Sequence, residues 1–291
     1  MAEYTIKDLE MLSGILAHTL RIWEKRYGII KPSRTDTNRR RYDDSDLKKI
    51  INVSILNRNG LKISKIASLT DIEIKKGVED ISRDISKWET QIDALVVAML
   101  ELDEKTFNDL LSRLIVSTGF ENTFTNIVFP FLKKTGVLWQ TGSVNPAQEH
   151  FISNIIRQKI ISSIDGQNLP EVAGGKKVLM YLPEKELHEI GLLYYSYLAK
   201  QNGHEVLYLG QLTPFESVVY SDRVWNADII VTGTLSSLGG ADSDYVSKIS
   251  EVFKEKKVIL TGQMAELAAG HRSTNIYTVK SSEEFLSILN S

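Results

Sequence analysis

The sequence predicts a multidomain chain, α-helical to about residue 170 and α/β from residue 174 onward. Apolar residues recur at helical spacing through the first part. From Gly174 the pattern changes to short apolar runs, Val178–Leu182, Glu205–Leu209, Asp228–Thr232, Val258–Thr261 and Ile276–Val279. Helical stretches separate these runs, and strands alternating with helices specify a doubly wound parallel five-stranded sheet. The length of 291 residues agrees with two or three domains at about 150 residues each.

The first seventy residues read as short helices with turn signals between them. Thr5 precedes an apolar pattern at Ile6, Leu9 and Leu12 with Asp8 three residues on, a capping box opening an amphipathic helix. Ser13-Gly14 stops it. Ile15 to Tyr27 restarts with Ile15, Leu16, Leu20, Ile22 and Trp23, and Gly28 is expected as the glycine that follows a helix. Helix, short turn, helix is the spacing of a helix-turn-helix. Asp36-Thr37-Asn38 reads as a loop leading into a wing-like segment, Arg39-Arg40-Arg41-Tyr42. Ser45-Asp46-Leu47 is expected to cap a third helix reaching Asn57, and Lys62 to Leu69 a fourth after Asn59-Gly60. These elements make a winged helix-turn-helix over residues 1–75.

From Ile72 to Asp165 the pattern stays helical. Trp88, Ile92, Leu95, Val96 and Met99 form one apolar face, and Phe107, Leu110, Leu111, Leu114 and Ile115 the next. Asn122 to Leu138 and Ala147 to Ile164 complete a four-helix bundle assigned to residues 76–170. Pro130 is expected to kink or divide the third segment. Residues 174–291 then form a Rossmann-like domain, in which a ligand belongs beyond the carboxyl ends of the strands.

Composition narrows the function classes. Hydrophobic content of 42% and charged content of 25% are those of a soluble globular chain. No apolar stretch approaches the ~20 residues that span a bilayer. The N-terminus lacks a secretory pattern, so a cytoplasmic protein is expected. With no cysteine there is no disulfide, thiolate zinc site or cysteine nucleophile. Residues 1–70 hold 14 Lys/Arg against 8 Asp/Glu, a net of +6, so the remainder carries −8 of the overall −2. A basic head on an acidic body points to a polyanion partner for the head, although a solvated charged surface accounts for the charge equally well.

In the second helix Thr19, Arg21 and Lys25, with His18 as a lesser candidate, suit base edges and phosphates, and Arg39, Arg40, Arg41 and Tyr42 suit the backbone. The run Tyr4-Thr5-Ile6, then Thr19-Leu20-Arg21-Ile22-Trp23-Glu24, then Gly28, Pro32, Arg34-Thr35, Asn38-Arg39-Arg40-Arg41-Tyr42 and Asp46-Leu47 resembles the winged helix of MerR-family regulators. The resemblance covers about seventy residues. It implies a dimeric binder of double-stranded promoter or operator DNA. Most such regulators dimerise through one long helix after this domain, and here a bundle replaces it.

The second candidate site is Glu186-Leu187-His188-Glu189-Ile190-Gly191, between the first strand and its helix. Neutral imidazole is a common donor to transition metals, and a carboxylate on its other nitrogen fixes the tautomer. Glu186 is that carboxylate if the segment is extended, and Gly191 admits close approach of a bulky ligand. A surface histidine at a helix start explains the same residues without a ligand. The other histidines show no zinc spacing. No Gly-x-Gly-x-x-Gly, Walker or Gly-x-Ser-x-Gly sequence is present, so an enzyme is not expected.

Glu186-x-His188-x-x-Gly191 in a five-stranded α/β unit behind a helical bundle resembles the cobalamin-binding modules of methionine synthases and mutases. Trp139, nine intervening residues, then Glu149-His150 resembles the motif of light-sensing, cobalamin-dependent MerR-type repressors of the CarH type. The resemblance implies His188 as the cobalt axial ligand, with Trp139 and Glu149 over the upper face and His150 beside them among the cofactor-binding residues. Gly233, Leu235 and Gly262 would lie along the nucleotide tail, and adenosylcobalamin is the favoured form. The chain also departs from the pattern. Gly233-Thr234-Leu235 stands where the modules carry Ser-x-Leu, with Thr232, Thr234 or Ser236 as substitutes, and Gly262-Gln263 stands where they carry Gly-Gly. Gln140 replaces the histidine that follows the motif tryptophan in light sensors, and an amide is a poor cobalt ligand.

Together these readings give a transcriptional regulator controlled by a cobalamin, possible photoreceptor function included, bound between bundle and Rossmann-like domain. It would change oligomeric state, dimer or tetramer, and with it operator affinity. The alternative is a MerR-type regulator whose degenerate pocket takes no cobalamin and answers to protein contacts or another ligand.

Overall fold

A computed structural model describes residues 3–82, 84, 87–140, 145–167, 174–235, 242–268 and 273–291; the side chains of 137–140 and 242–243 fall outside that description. The chain forms two compact units, residues 1–155 and 156–291.

The first unit opens with α1 (Ile6–Ser13). Thr5 caps it through the capping box with Asp8, and Gly14 closes it at φ 71°. Helix α2 (Ala17–Tyr27) follows and ends at Gly28, also left-handed at φ 62°. The wing is a short antiparallel pair, β1 (Ser33–Arg34) with β2 (Arg40–Arg41), turned at Asn38 with φ 61°. Asp43, rather than Ser45, caps α3 (Asp44–Arg58), because its carboxylate reaches the backbone N–H of Asp46 while Asp46 answers to Asp43 N–H. The expected fourth helix is one turn, α4 (Ile63–Ile66), followed by α5 (Asp71–Ser82). Tyr4, Leu9, Leu12, Leu20, Leu47 and Ile50 are fully buried between these helices.

Four helical segments follow. They are α6 (Trp88–Glu101), α7 (Glu104–Thr118), a continuous stretch made of α8 (Phe120–Thr123), a π-turn (Phe124–Val128) and α9 (Phe129–Gln140), and α10 (Pro146–Asp165), which begins in the first unit and ends in the second. Pro130 neither breaks nor divides the third segment. The π-turn just before it lets Phe129 N–H bond the Phe124 carbonyl five residues back, which absorbs the missing proline donor and the ring's bulk. Phe107 packs edge-on against Phe131 at 5.7 Å in the bundle core. On α6 one position departs from the apolar face expected, and a buried acid adds to it. Trp88 is 42% exposed at the helix start. Asp93 is buried with 1% of its side chain exposed, held between Arg58 of α3 and Lys134 of α9.

In the second unit β3 (Lys177–Pro183), β4 (Glu205–Thr213), β5 (Ile229–Thr234), β6 (Lys257–Thr261) and β7 (Ile276–Thr278) form one parallel sheet in the order β4-β3-β5-β6-β7. Helices α11 (Ile190–Gln201), α12 (Phe215–Trp225), α13 (Asp242–Val252), α14 (Gly262–Leu267) and α15 (Ser282–Asn290) connect and follow the strands. Strand β5 is buried at every position, as expected for a sheet covered on both faces. Leu179, Phe215, Ile230, Ile249, Val258 and Met264 belong to its core. The first strand lies between the second and third, so the chain reverses direction across the sheet at β3. In doubly wound sheets such a reversal marks the place, beyond the carboxyl ends of the strands, where ligands are held; here that is the end of β3 and β5.

Candidate functional site

The loop after β3 stands at that end of the sheet. A turn at Lys185, with φ 74°, brings the chain out of the strand, and residues 186–189 run without regular structure into α11. Glu186 is completely buried. One carboxylate oxygen, Oε1, accepts the backbone N–H of His188 at 2.8 Å and lies 2.6 Å from His188 Nδ1. The other, Oε2, accepts the backbone N–H of Leu235 at 2.8 Å, immediately beyond β5. A buried carboxylate costs several kcal/mol unless hydrogen-bonded. Here the bonds that satisfy it also tie the β3 loop to the end of β5. The imidazole therefore has a fixed Nδ1 partner, and its side chain is 55% exposed.

The same loop is tied down at its other residues. Leu187 O accepts from Gln211 Nε2 of β4. Glu189 Oε1 pairs with Arg157 Nε of α10 at 2.8 Å, and its Oε2 accepts the Tyr208 hydroxyl at 3.1 Å. Burial and the neighbouring Glu189 carboxylate push the Tyr208 phenol well above its ordinary range, so it stays a donor. A methyl group built on Gly191 would meet nothing within 4 Å, so there is open space at this position of α11. Leu187 and Leu235 are 57% and 60% exposed, an apolar margin beside His188.

Beyond β5 and β6 the backbones approach closely. A Cβ on Gly233 would lie 2.0 Å from Thr261 Oγ1 and 2.7 Å from the Thr261 carbonyl oxygen. Gly262, at φ 62°, would place a Cβ 2.2 Å from the Thr234 carbonyl oxygen. Thr261 therefore fills the space that a side chain at 233 would need, which sequence reasoning missed because the partner is 28 residues away. Thr232 and Thr234 are buried, Gln263 is exposed, and Ser236 lies outside the described residues. In the first unit Glu149 and His150 begin α10, their side chains 3.6 Å apart and 30% and 74% exposed. Trp139 and Gln140 end α9, but their side chains lie outside the described residues. Among the described residues no group of three or more His, Asp or Glu side chains is placed to hold a metal ion.

The basic head presents a second surface. Arg21, Lys25 and His18 are exposed on α2, with Thr19 half-buried beside His18. Arg39 is exposed in the wing. Arg40 is not: its Nε donates to both carboxylate oxygens of Glu24 on α2, at 2.9 and 3.1 Å. It thereby fastens the wing to the second helix. Arg41 pairs with Glu3 at 3.5 Å. Tyr42 is 1% exposed, and its backbone pairs with that of Tyr4. Burial, with the charge of Glu24 second, raises its phenol to about 12. Its ring is thus part of the core under the wing.

Residues 4–71 match the family described as MerR HTH family regulatory protein, and residues 91–161 match the B12 binding domain. The chain is 29% identical over 251 residues to the HTH-type transcriptional repressor CarH of Myxococcus xanthus, covering 83% of each. It is 28% identical to CarA of the same organism, over 72% of this chain and 68% of that protein. The Escherichia coli regulator MlrA matches 28% of this chain at 36% identity, and 34% of MlrA is covered. Among solved structures the Methanosarcina barkeri monomethylamine corrinoid protein superposes with a TM-score of 0.56 at 14% identity, covering 69% of this chain and 97% of that one, a likeness of fold. No helix among the described residues is long and apolar enough to cross a membrane.

Proposed function

We propose a mode of control for this chain, which is a MerR-type DNA-binding regulator with a B12-binding domain: cobalamin bound at His188 sets its assembly and its affinity for operator DNA. The observation that carries the reading is the Glu186 carboxylate, bonded to His188 through one oxygen and to Leu235 N–H through the other. When bound, cobalamin would supply a cobalt able to take an imidazole nitrogen as a ligand, and His188 would hold it. Glu186 holds Nδ1, which assigns Nε2 as the donor and raises its basicity. Open space at Gly191 and the exposed Leu187 and Leu235 fit a large, flat, partly apolar ligand. Trp139, Glu149 and His150 are the further residues that would hold it, and adenosylcobalamin is the favoured form.

Operator affinity follows from assembly, because linking two or four heads raises the effective concentration of each at neighbouring half-sites. In each head Thr19, Arg21 and Lys25 address the groove, Arg39 addresses phosphate, and Arg40 orients the wing through Glu24. Replacing Arg39 by alanine is expected to weaken binding to every DNA sequence and to lower the slope of log affinity against log salt by about 0.9 for each bound head. A fluorescence anisotropy titration at several salt concentrations measures it, and an unchanged slope would put the phosphate contact elsewhere.

Mixing the purified protein with adenosylcobalamin in the dark, desalting it and recording the absorbance spectrum tests the cofactor assignment. Retained corrin absorbance is expected, and a colourless protein would contradict it. A second reading, a regulator whose pocket takes no cobalamin, is favoured by Thr261 filling the space over Gly233. The colourless outcome would select it.

A further inference from the structure

We propose that Glu189 is a positioning residue, which sets the aim of the His188 imidazole by anchoring the loop to α10 through Arg157 and to β4 through Tyr208. The inference rests on the reading of the β3 loop as the cobalt-binding loop, but its geometry is independent of that reading.

Glu189 occupies the N-cap of α11, a position that usually holds Ser, Thr, Asp or Asn because their side chains bond the first free N–H groups. Its side chain makes no such bond. The carboxylate, 12% exposed, instead takes Arg157 Nε on one oxygen and the Tyr208 hydroxyl on the other. The helix start thus forgoes a side-chain cap, while two distant elements converge on one carboxylate. Adjacent Cα atoms are about 3.8 Å apart, so a displacement of Glu189 passes directly to His188. Gln211 holds Leu187 O on the other side. The imidazole therefore lies between two anchored residues, with Glu186 gripping it from below. A partly exposed ion pair contributes little stability by itself, and Arg157 is 40% exposed. What the carboxylate supplies is alignment, because a ligand to cobalt works only when its lone pair points along one axis.

Three variants, Glu189→Gln, Arg157→Gln and the double substitution, test this in the full-length protein. Without cofactor, hydrogen exchange followed by mass spectrometry is expected to speed up about tenfold over residues 185–190 in Glu189→Gln, with β3 unchanged, as one charge-assisted hydrogen bond is lost. With hydroxocobalamin, the imidazole-ligated fraction in the spectrum falls, and the cofactor dissociates about tenfold faster. Because both residues act through one contact, the double variant should be no worse than the poorer single one. Arg157→Gln alters only a half-exposed side chain and keeps the experiment decisive if Glu189→Gln folds poorly. Unchanged exchange in the loop for both single variants, or effects that multiply in the double variant, would overturn the proposal. Should the parent protein take up no hydroxocobalamin, the cofactor reading fails, while cofactor-free exchange still decides the role of Glu189.

Discussion

Replacing His188 with alanine is expected to abolish the spectrum of imidazole-ligated cobalamin and to lower cobalamin affinity by at least about 10–100-fold, the range seen when partners that orient a metal ligand are removed. The size follows from the site's construction. Glu186 is wholly buried, and its two oxygens serve His188 and Leu235, so the loop spends its one buried charge on aiming one ring. Replacing Glu186 with glutamine should give a smaller loss in the same direction, because the amide retains an acceptor for one N–H but no charge to draw on Nδ1. Equilibrium titration followed by absorbance measures both. A parent-like spectrum in His188→Ala would assign the axial ligand to another residue.

The second large effect concerns Gly233. Serine there, the residue its resemblance to other cobalamin modules would lead one to restore, is expected to destabilise the α/β unit by about 3 kcal/mol, at the upper end for overpacking a core. The Cβ would meet Thr261 Oγ1 at 2.0 Å and the Thr261 carbonyl at 2.7 Å. Thr261→Ala would relieve the first contact and leave the second, so rescue in the double variant should be partial. Gly262→Ala adds left-handed strain of about 1–2 kcal/mol to a contact with the Thr234 carbonyl. Urea unfolding of the four variants measures these costs. A midpoint for Gly233→Ser equal to that of the parent would mean that β5 and β6 separate there without penalty.

What was legible in the sequence was local chemistry. The Thr5–Asp8 capping box and the Gly14 and Gly28 stops depend on residues within one turn, and each forms as read. The five strands and the helices between them were visible because a buried parallel sheet leaves unbroken apolar runs. Glu186 beside His188 was accessible for the same reason: two residues apart in an extended loop, they meet whatever the rest of the chain does.

The remainder depended on partners far apart in the chain. Asp93 sits in an apolar stretch, and nothing near it foretells that Arg58 and Lys134 converge on it. Arg40 reads as a phosphate contact alone, and only the structure shows that Glu24, sixteen residues earlier, accepts from its Nε and so gives it a role in holding the wing. Gly233 looks like a lost serine until Thr261 appears opposite, filling the space that a side chain there would need. Pro130 looks like a helix breaker because a π-turn has no composition signal of its own. Glu189 is an ordinary acid in sequence, and only Arg157 and Tyr208 give it a role.

The account centres on His188 connecting a cobalamin to DNA binding. The direct measurement is an anisotropy titration, in the dark and at fixed salt, of a fluorescent duplex enriched from a random pool by the protein itself. It compares the parent and His188→Ala, each with and without adenosylcobalamin. The predicted result is a shift in half-saturation of about tenfold for the parent, within the usual 5–150-fold range of coupled sites, and superimposed curves for His188→Ala. Superimposed curves for a parent protein that retains the cofactor would contradict it.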